Sequence, residues 1–136
     1  MKPYEFEQLV CDHYRQKGYR VQTTSASNDY GIDVFAEKKG EKIAVQVKMY
    51  GGSTRKVNRQ TMMELYGAAA YFDCTKAVLA TDGEVLTDAK EVAHKLGIDI
   101  LFIQPDRKIS MPSASSAEWS LADIIWEQKK MPAMKT

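Results

Sequence analysis

The chain has 136 residues, 44% of them hydrophobic and 27% charged, with a formal net charge of +1. That is room for one domain with a real core and too little for two, and no apolar run approaches the ~18 residues of a membrane span. The N-terminus MKPYEFEQLV carries acids where a signal peptide needs an uninterrupted apolar stretch, so a cytoplasmic location is expected. The near-neutral balance excludes a globally basic nucleic-acid binder but not one with a local basic surface.

Pro3 suits the first turn of a helix, Glu5 and Glu7 favour its positive end, and Gly18 is a natural stop. Phe6, Leu9, Val10, His13, Tyr14 and Lys17 follow helical spacing, with Glu7 beside Val10 and Tyr14 at the border of the apolar stripe. Residues 19–24 read as a short strand and 25–29 as a polar loop. Cys11 and Cys74 stand far apart without a second ligand pair, so neither a zinc site nor a disulfide is expected. Both read as small apolar residues in a reducing compartment.

Next come two strand-like runs on either side of Lys39-Gly40, YGIDVFAEKKGEKIAVQVK. Alternation puts Ile43, Val45 and Val47 on one face and Ala44, Gln46 and Lys48 on the other. A two-residue turn sets Lys38 opposite Glu41 and Asp33 opposite Gln46; a four-residue loop sets Asp33 opposite Lys48. Either register gathers Asp33, Gln46 and Lys48 on one strand face. A carboxylate, a carboxamide and an ammonium make poor core, because each needs a partner if buried. They suit a site for a cation and a phosphate.

Gly51-Gly52-Ser53-Thr54 breaks the pattern, and Arg55, Lys56 and Arg59 form a basic cluster. A helix is predicted over 57–72, with small residues at 67–70 for close packing, and a buried strand over KAVLAT (76–81). Thr87 is placed to cap a helix running to Gly97, and 98–103 reads as a final strand. The order predicts an α/β fold: a mixed sheet of about five strands with helices on both faces. A polar, Ser-rich linker (106–117) follows. Ser120 and Asp123 then resemble a capping box opening a terminal helix (118–136) loaded with Trp119, Leu121, Ile124, Ile125 and Trp126. That helix either docks onto its own domain or forms a dimer contact.

FEQLVCDHYRQKGYRVQ, NDYGIDVFA, IAVQVKMY, the helix from near Val57 and KAVLAT together resemble the Mrr-type restriction endonuclease catalytic domain, in consistent order over roughly 4–104. The family pattern of a helix Glu, D-x-G-[IV]-D and Q-x-K falls on Glu7, on Asp29, Gly31, Ile32 and Asp33, and on Gln46 and Lys48. The family lies within the PD-(D/E)xK nucleases, with Gln in place of the usual second carboxylate. The resemblance implies a restriction-endonuclease-like fold for 1–105 and hydrolysis of DNA phosphodiesters with Mg²⁺, Mn²⁺ being able to substitute. Asp33 is then the principal metal ligand, with Glu7, the Gln46 carbonyl oxygen and the Val47 backbone carbonyl as further ones. Lys48 orients the attacking water and offsets charge on phosphorus. It becomes a base only if its pKa falls well below the ordinary ~10.4. Arg55, Lys56 and Arg59, just after this strand, are expected to meet DNA phosphates.

Plainer roles compete for several residues. An acid in the first helical turn, as Glu7 is, is stabilising wherever it stands. Asp29 reads as a turn residue, Gln46 also as a cross-strand hydrogen-bonding partner, and Lys48 also as a solvated strand residue. His13 and His94 read as structural, and Tyr30 and Tyr50 serve packing as readily as the site. The expected function is a Mg²⁺-dependent DNA endonuclease acting in restriction or in repair and recombination. The alternatives are a nuclease like the Holliday junction resolvases, which usually carry Glu where Gln46 stands, and a non-catalytic DNA-binding module. A double-strand cut implies a homodimer. The length leaves no room for a recognition domain, so a separate DNA-recognition protein is a further expected partner.

Overall fold

A computed structural model of the protein describes residues 2–24 and 30–104. Helix α1 (Pro3–Gln16) opens on Pro3, with the Glu5 carboxylate accepting the Lys2 N–H at 3.0 Å. It stops where Gly18, at φ 89°, turns the chain directly into β1 (Arg20–Thr23). Strands β2 (Val34–Lys38) and β3 (Glu41–Lys48) form the expected hairpin. Lys39 (φ 49°) and Gly40 (φ 82°) both take the left-handed conformation that a tight two-residue hairpin turn requires. The chain continues through α2 (Arg59–Tyr71), β4 (Lys76–Thr81), α3 (Thr87–Leu96) and β5 (Asp99–Phe102).

The five strands lie in sequence order, antiparallel from β1 to β3 and parallel from β3 to β5. Parallel neighbours need crossovers, and α2 and α3 supply them on one face while α1 covers the other. Phe6, Val10 and Tyr14 of α1 pack with Val34, Ile43, Val45 and Leu101. Met62 and Leu65 of α2 and Ala89 and Ala93 of α3 pack with Ala44, Leu79 and Ile100. The centre of β3 is therefore buried on both faces, which is why 43–46 are all buried. Cys11 and Cys74 are free and buried.

Two helix starts differ from expectation, for one reason. Val57 does not begin α2; it forms a parallel bridge with Val85, and Asn58 caps the helix by accepting the Thr61 N–H at 3.0 Å. Leu86, not Thr87, holds the cap position of α3, because its N–H donates to the Val57 carbonyl at 3.0 Å. A tertiary bridge between the two connections sets both ends. In α2, Ala68 and Ala69 are buried whereas Gly67 and Ala70 are exposed. The loop at 25–29, the linker at 106–117 and the terminal helix at 118–136 with its dimer contact lie outside the described residues. Among the described residues no helix is long and apolar enough to cross a membrane.

Candidate active site

The β2–β3 ladder is regular from Lys38–Glu41 to Val34–Val45 and ends there. Asp33 does not continue it as a direct partner of Gln46: its N–H turns back to the Val45 carbonyl at 2.8 Å. The next free donor on β3, the Val47 N–H, is taken by the Asp33 side chain, whose Oδ2 accepts it at 2.7 Å. A carboxylate thus stands in for the missing backbone carbonyl, and the strands separate around it. On its other side the Asp33 carbonyl accepts the Thr24 N–H at 3.1 Å, and the Thr24 hydroxyl donates to the Ile32 carbonyl at 2.7 Å. Ile32 and Val34 point into the two opposite cores, so Asp33 is pinned between them.

Gln46 is 7% exposed, and its buried Oε1 has no hydrogen-bond partner among the described residues. Gly31 sits against its Nε2: a Cβ built on Gly31 would stand 2.8 Å away. Gly31 also has φ 86°, so both space and backbone conformation demand glycine there. Glu7, on α1, lies close enough to Asp33 to feel its charge. Burial and then the nearby Asp33 charge raise its carboxyl above the ordinary range. Burial raises Asp33 as well, against the opposing pull of the Val47 N–H and the Lys48 ammonium. The structure therefore brings Glu7, Asp33, Gln46, Val47 and Lys48 to one end of the sheet.

Among the described residues no three His, Cys, Asp or Glu side chains cluster as metal ligands. The donors at this end are instead two carboxylates and one amide oxygen, all hard. Two carboxylates raised by burial, Glu7 further by the Asp33 charge, beside a buried amide oxygen without a partner among the described residues, suit a hard, oxygen-seeking divalent cation such as Mg²⁺ and lack the nitrogen and sulfur ligands of a zinc centre.

The basic cluster divides. Lys56 pairs with Glu84 and Arg59 with Asp88, each at 3.6 Å and exposed. Arg55 has no acidic partner among the described residues; its guanidinium lies 4.5 Å from the centre of the Tyr50 ring. Tyr30 is exposed and meets Tyr71 edge-on at 5.2 Å. His13 is lowered to about 4 by burial and by Lys17, which leaves it neutral and structural at neutral pH. Asp29 falls outside the described residues. Two residues that sequence reasoning passed over stand beside Lys48. The Thr81 hydroxyl donates to the Lys48 carbonyl at 2.7 Å, and Asp82 accepts from the loop that follows. Thr-Asp-Gly at a strand end was the available signal, but its meaning depended on β4 lying next to β3.

The family model for the restriction endonuclease catalytic domain, Mrr_cat, matches residues 1–108. The uncharacterized protein y4cE of Sinorhizobium fredii is 34% identical over 98 residues, covering 64% of this chain and 25% of that protein. A UPF0102 protein of Aquifex aeolicus is 39% identical over 49 residues, covering 35% of this chain and 48% of that protein. The chain thus spans a quarter to about half of the length of these relatives. The crystal structure of AF1548, a protein of unknown function, superposes with a TM-score of 0.58 at 20% identity, over 70% of this chain and 56% of the other, which is a likeness of fold. The fold is restriction-endonuclease-like, and the family model spans the whole sheet and the three helices around it. The chain belongs to the Mrr-type restriction endonuclease catalytic-domain family, within the restriction-endonuclease-like superfamily.

Proposed function

We propose that the protein is a Mg²⁺-dependent DNA endonuclease in which Asp33, Glu7, the Gln46 amide oxygen and the Val47 carbonyl hold the ion and Lys48 serves the attacking water. One observation carries this: the Asp33 carboxylate is held on the Val47 N–H, the β3 residue flanked in sequence by Lys48 and by Gln46, whose buried oxygen has no partner among the described residues. When bound, the ion, Mg²⁺ or Mn²⁺ in its place, supplies Lewis acidity toward the phosphate and acidifies water. The protein's own part is placement. Asp33 is anchored through its side chain and both backbone groups, so its free oxygen keeps a constant position. Lys48 directs a water through its ammonium and offsets the negative charge that grows on the phosphoryl oxygens. Arg55 takes a neighbouring phosphate, while Lys56 and Arg59 contribute less because each already faces an acid.

A double-strand cut implies that the protein acts as a homodimer, with sequence or structure selection drawn from a separate recognition module. The role is restriction or DNA repair and recombination. The test is incubation with supercoiled plasmid, methylated plasmid and a four-way junction, in Mg²⁺ and in EDTA. Cleavage is expected in Mg²⁺ only, and Asp33→Ala and Lys48→Ala lower its rate by about a hundredfold or more. Undiminished cutting in EDTA, or equal cutting by both variants, overturns the proposal. Preference for the junction over both plasmids selects a structure-specific nuclease over a restriction enzyme.

A further inference from the structure

Beyond Lys48 the chain crosses the end of β4 before entering α2, and it is fastened there at several points. Asp82 Oδ1 accepts two successive N–H groups of this crossover, those of Tyr50 at 2.7 Å and Gly51 at 2.8 Å. The contact is tight enough to exclude side chains: a Cβ on Gly51 would stand 2.6 Å from Asp82 Oδ2, and one on Gly83 would stand 2.8 Å from the Tyr50 Cβ. The preceding residue, Thr81, is fully buried; its hydroxyl donates to the Lys48 carbonyl and accepts the Gly83 N–H at 3.0 Å. From Tyr50 the order passes to Arg55. The Tyr50 carbonyl accepts from both the N–H (2.9 Å) and the hydroxyl (2.8 Å) of Ser53, and the Ser53 oxygen accepts the Arg55 N–H at 3.2 Å. The guanidinium then folds back onto the Tyr50 ring. The far end of the crossover is closed by the Val57–Val85 bridge.

We propose that Asp82 is a positioning residue for DNA binding: by holding the Tyr50–Gly51 turn it presents Arg55, stacked on Tyr50, as a pre-oriented phosphate contact five residues along the chain from Tyr50 at the strand exit. This rests on the nuclease proposal for the substrate and adds a residue outside the metal and water site. An arginine that is free in solution loses rotamer freedom when it binds a phosphate; one already laid on an aromatic face has lost much of it beforehand. The sign of the effect makes the role testable. Asp82 is an acid beside a DNA-binding surface, so removal of its charge alone tightens DNA binding. Loss of its positioning weakens it.

The experiment measures binding of a duplex oligonucleotide in EDTA, without cleavage, over a range of salt concentrations. Arg55→Ala is expected to weaken binding on the order of tenfold and to flatten the log K against log salt slope by about 0.9, the share of one phosphate. Asp82→Ala is expected to follow it in both respects and to lose amide-exchange protection at Tyr50 and Gly51. In the double variant the two effects overlap instead of adding. Asp82→Asn keeps the acceptor and removes the charge, so it is expected to bind at least as tightly as the wild type, with the wild-type slope. Tyr50→Leu keeps every backbone partner but removes the stack, and is expected to resemble Arg55→Ala, which gives a reading even where Asp82→Ala fails to fold. Unchanged or tighter binding by Asp82→Ala, full additivity with Arg55→Ala, an Asp82→Asn variant as weak as Asp82→Ala, or a Tyr50→Leu variant that binds normally overturns the positioning role alone. A wild-type protein that binds no DNA overturns this role and the nuclease proposal together.

Discussion

At the Glu41 end of β3 polar side chains are neutralised by their neighbours, whereas at the Lys48 end they are left facing one another. Near Glu41, the Tyr19 hydroxyl donates to the Glu41 carboxylate at 2.5 Å, and Tyr19 is pushed up to about 12 by burial and then by that bond. Lys42 donates to the Phe72 carbonyl at 3.0 Å, and Thr75 bonds both the N–H and the carbonyl of Lys42. At the start of β4, Lys76 forms an ion pair with Asp99 at 2.6 Å, their side chains 17% and 2% exposed. At the other end, burial raises both Asp33 and Glu7, the Asp33 charge raises Glu7 further, and a buried amide oxygen has no partner among the described residues. The sheet thus pairs its polar side chains with hydrogen-bond and ion-pair partners around one end of β3, and leaves its carboxylates and an amide oxygen less satisfied at the other. The Lys48 end is where a ligand has something to gain, since unmet polar groups bind what the protein does not supply.

The contrast is broken most severely from the Glu41 end. Lys76→Ala leaves the Asp99 carboxylate buried without its ion pair and is expected to cost about 3–5 kcal/mol in denaturant-induced unfolding. A loss within experimental error would mean that the Glu41 end contributes little to stability. At the Lys48 end, Gly31→Ala places a Cβ against Gln46 in a left-handed backbone, at a cost of about 1–2 kcal/mol. It also shifts the amide, so weaker divalent-ion binding by calorimetry is expected alongside. Gln46→Glu adds a third carboxylate to the Lys48 end and is expected to tighten Mg²⁺ or Mn²⁺ binding on the order of tenfold; unaltered affinity would place Gln46 outside the ion's reach.

The smallest effect concerns pH. Because the native pKa values of Asp33 and Glu7 are raised, ionising them disfavours the folded state. Their contribution to stability is fully present below the ordinary carboxylate range and is lost as pH rises through the raised native values. Asp33→Asn, which keeps an acceptor for the Val47 N–H, is therefore expected to raise Tm in EDTA at neutral pH by about 1–4 °C. The gain should shrink in acid. A variant less stable than the wild type at pH 7 would show that the Lys48 end is not strained by charge.

Much of this was readable from local pattern. The Lys39-Gly40 turn and the alternation around Ile43 to Lys48 predicted the hairpin, and of the two registers they left open the two-residue turn is the one formed; motif and position made Glu7, Asp33, Gln46 and Lys48 the candidate site residues. What escaped depended on neighbours distant in sequence. Val57 looks like the start of an apolar helix until Val85 pairs with it, and Thr87 looks like a cap until Leu86 is bonded to Val57. Asp33 was placed inside the ladder, because nothing in the alternation shows that its own side chain ends it. Arg55, Lys56 and Arg59 looked equivalent, since Glu84 and Asp88, which separate them, come from the β4–α3 connection and the start of α3. Asp82 was missed for the same reason: its partners are 31 and 32 residues away.

The two buried cysteines have a practical consequence. Cys11 lies in the α1 core and Cys74 ahead of β4, and burial raises both thiols, Cys74 to about 11. Little thiolate exists on either at neutral pH, and neither sulfur is presented to a reagent. A cysteine introduced at exposed Thr54, inside the crossover between Tyr50 and Arg55, would accordingly react with maleimides far ahead of the native pair. A fluorophore or spin label there would follow the crossover as DNA arrives, in a protein otherwise left intact.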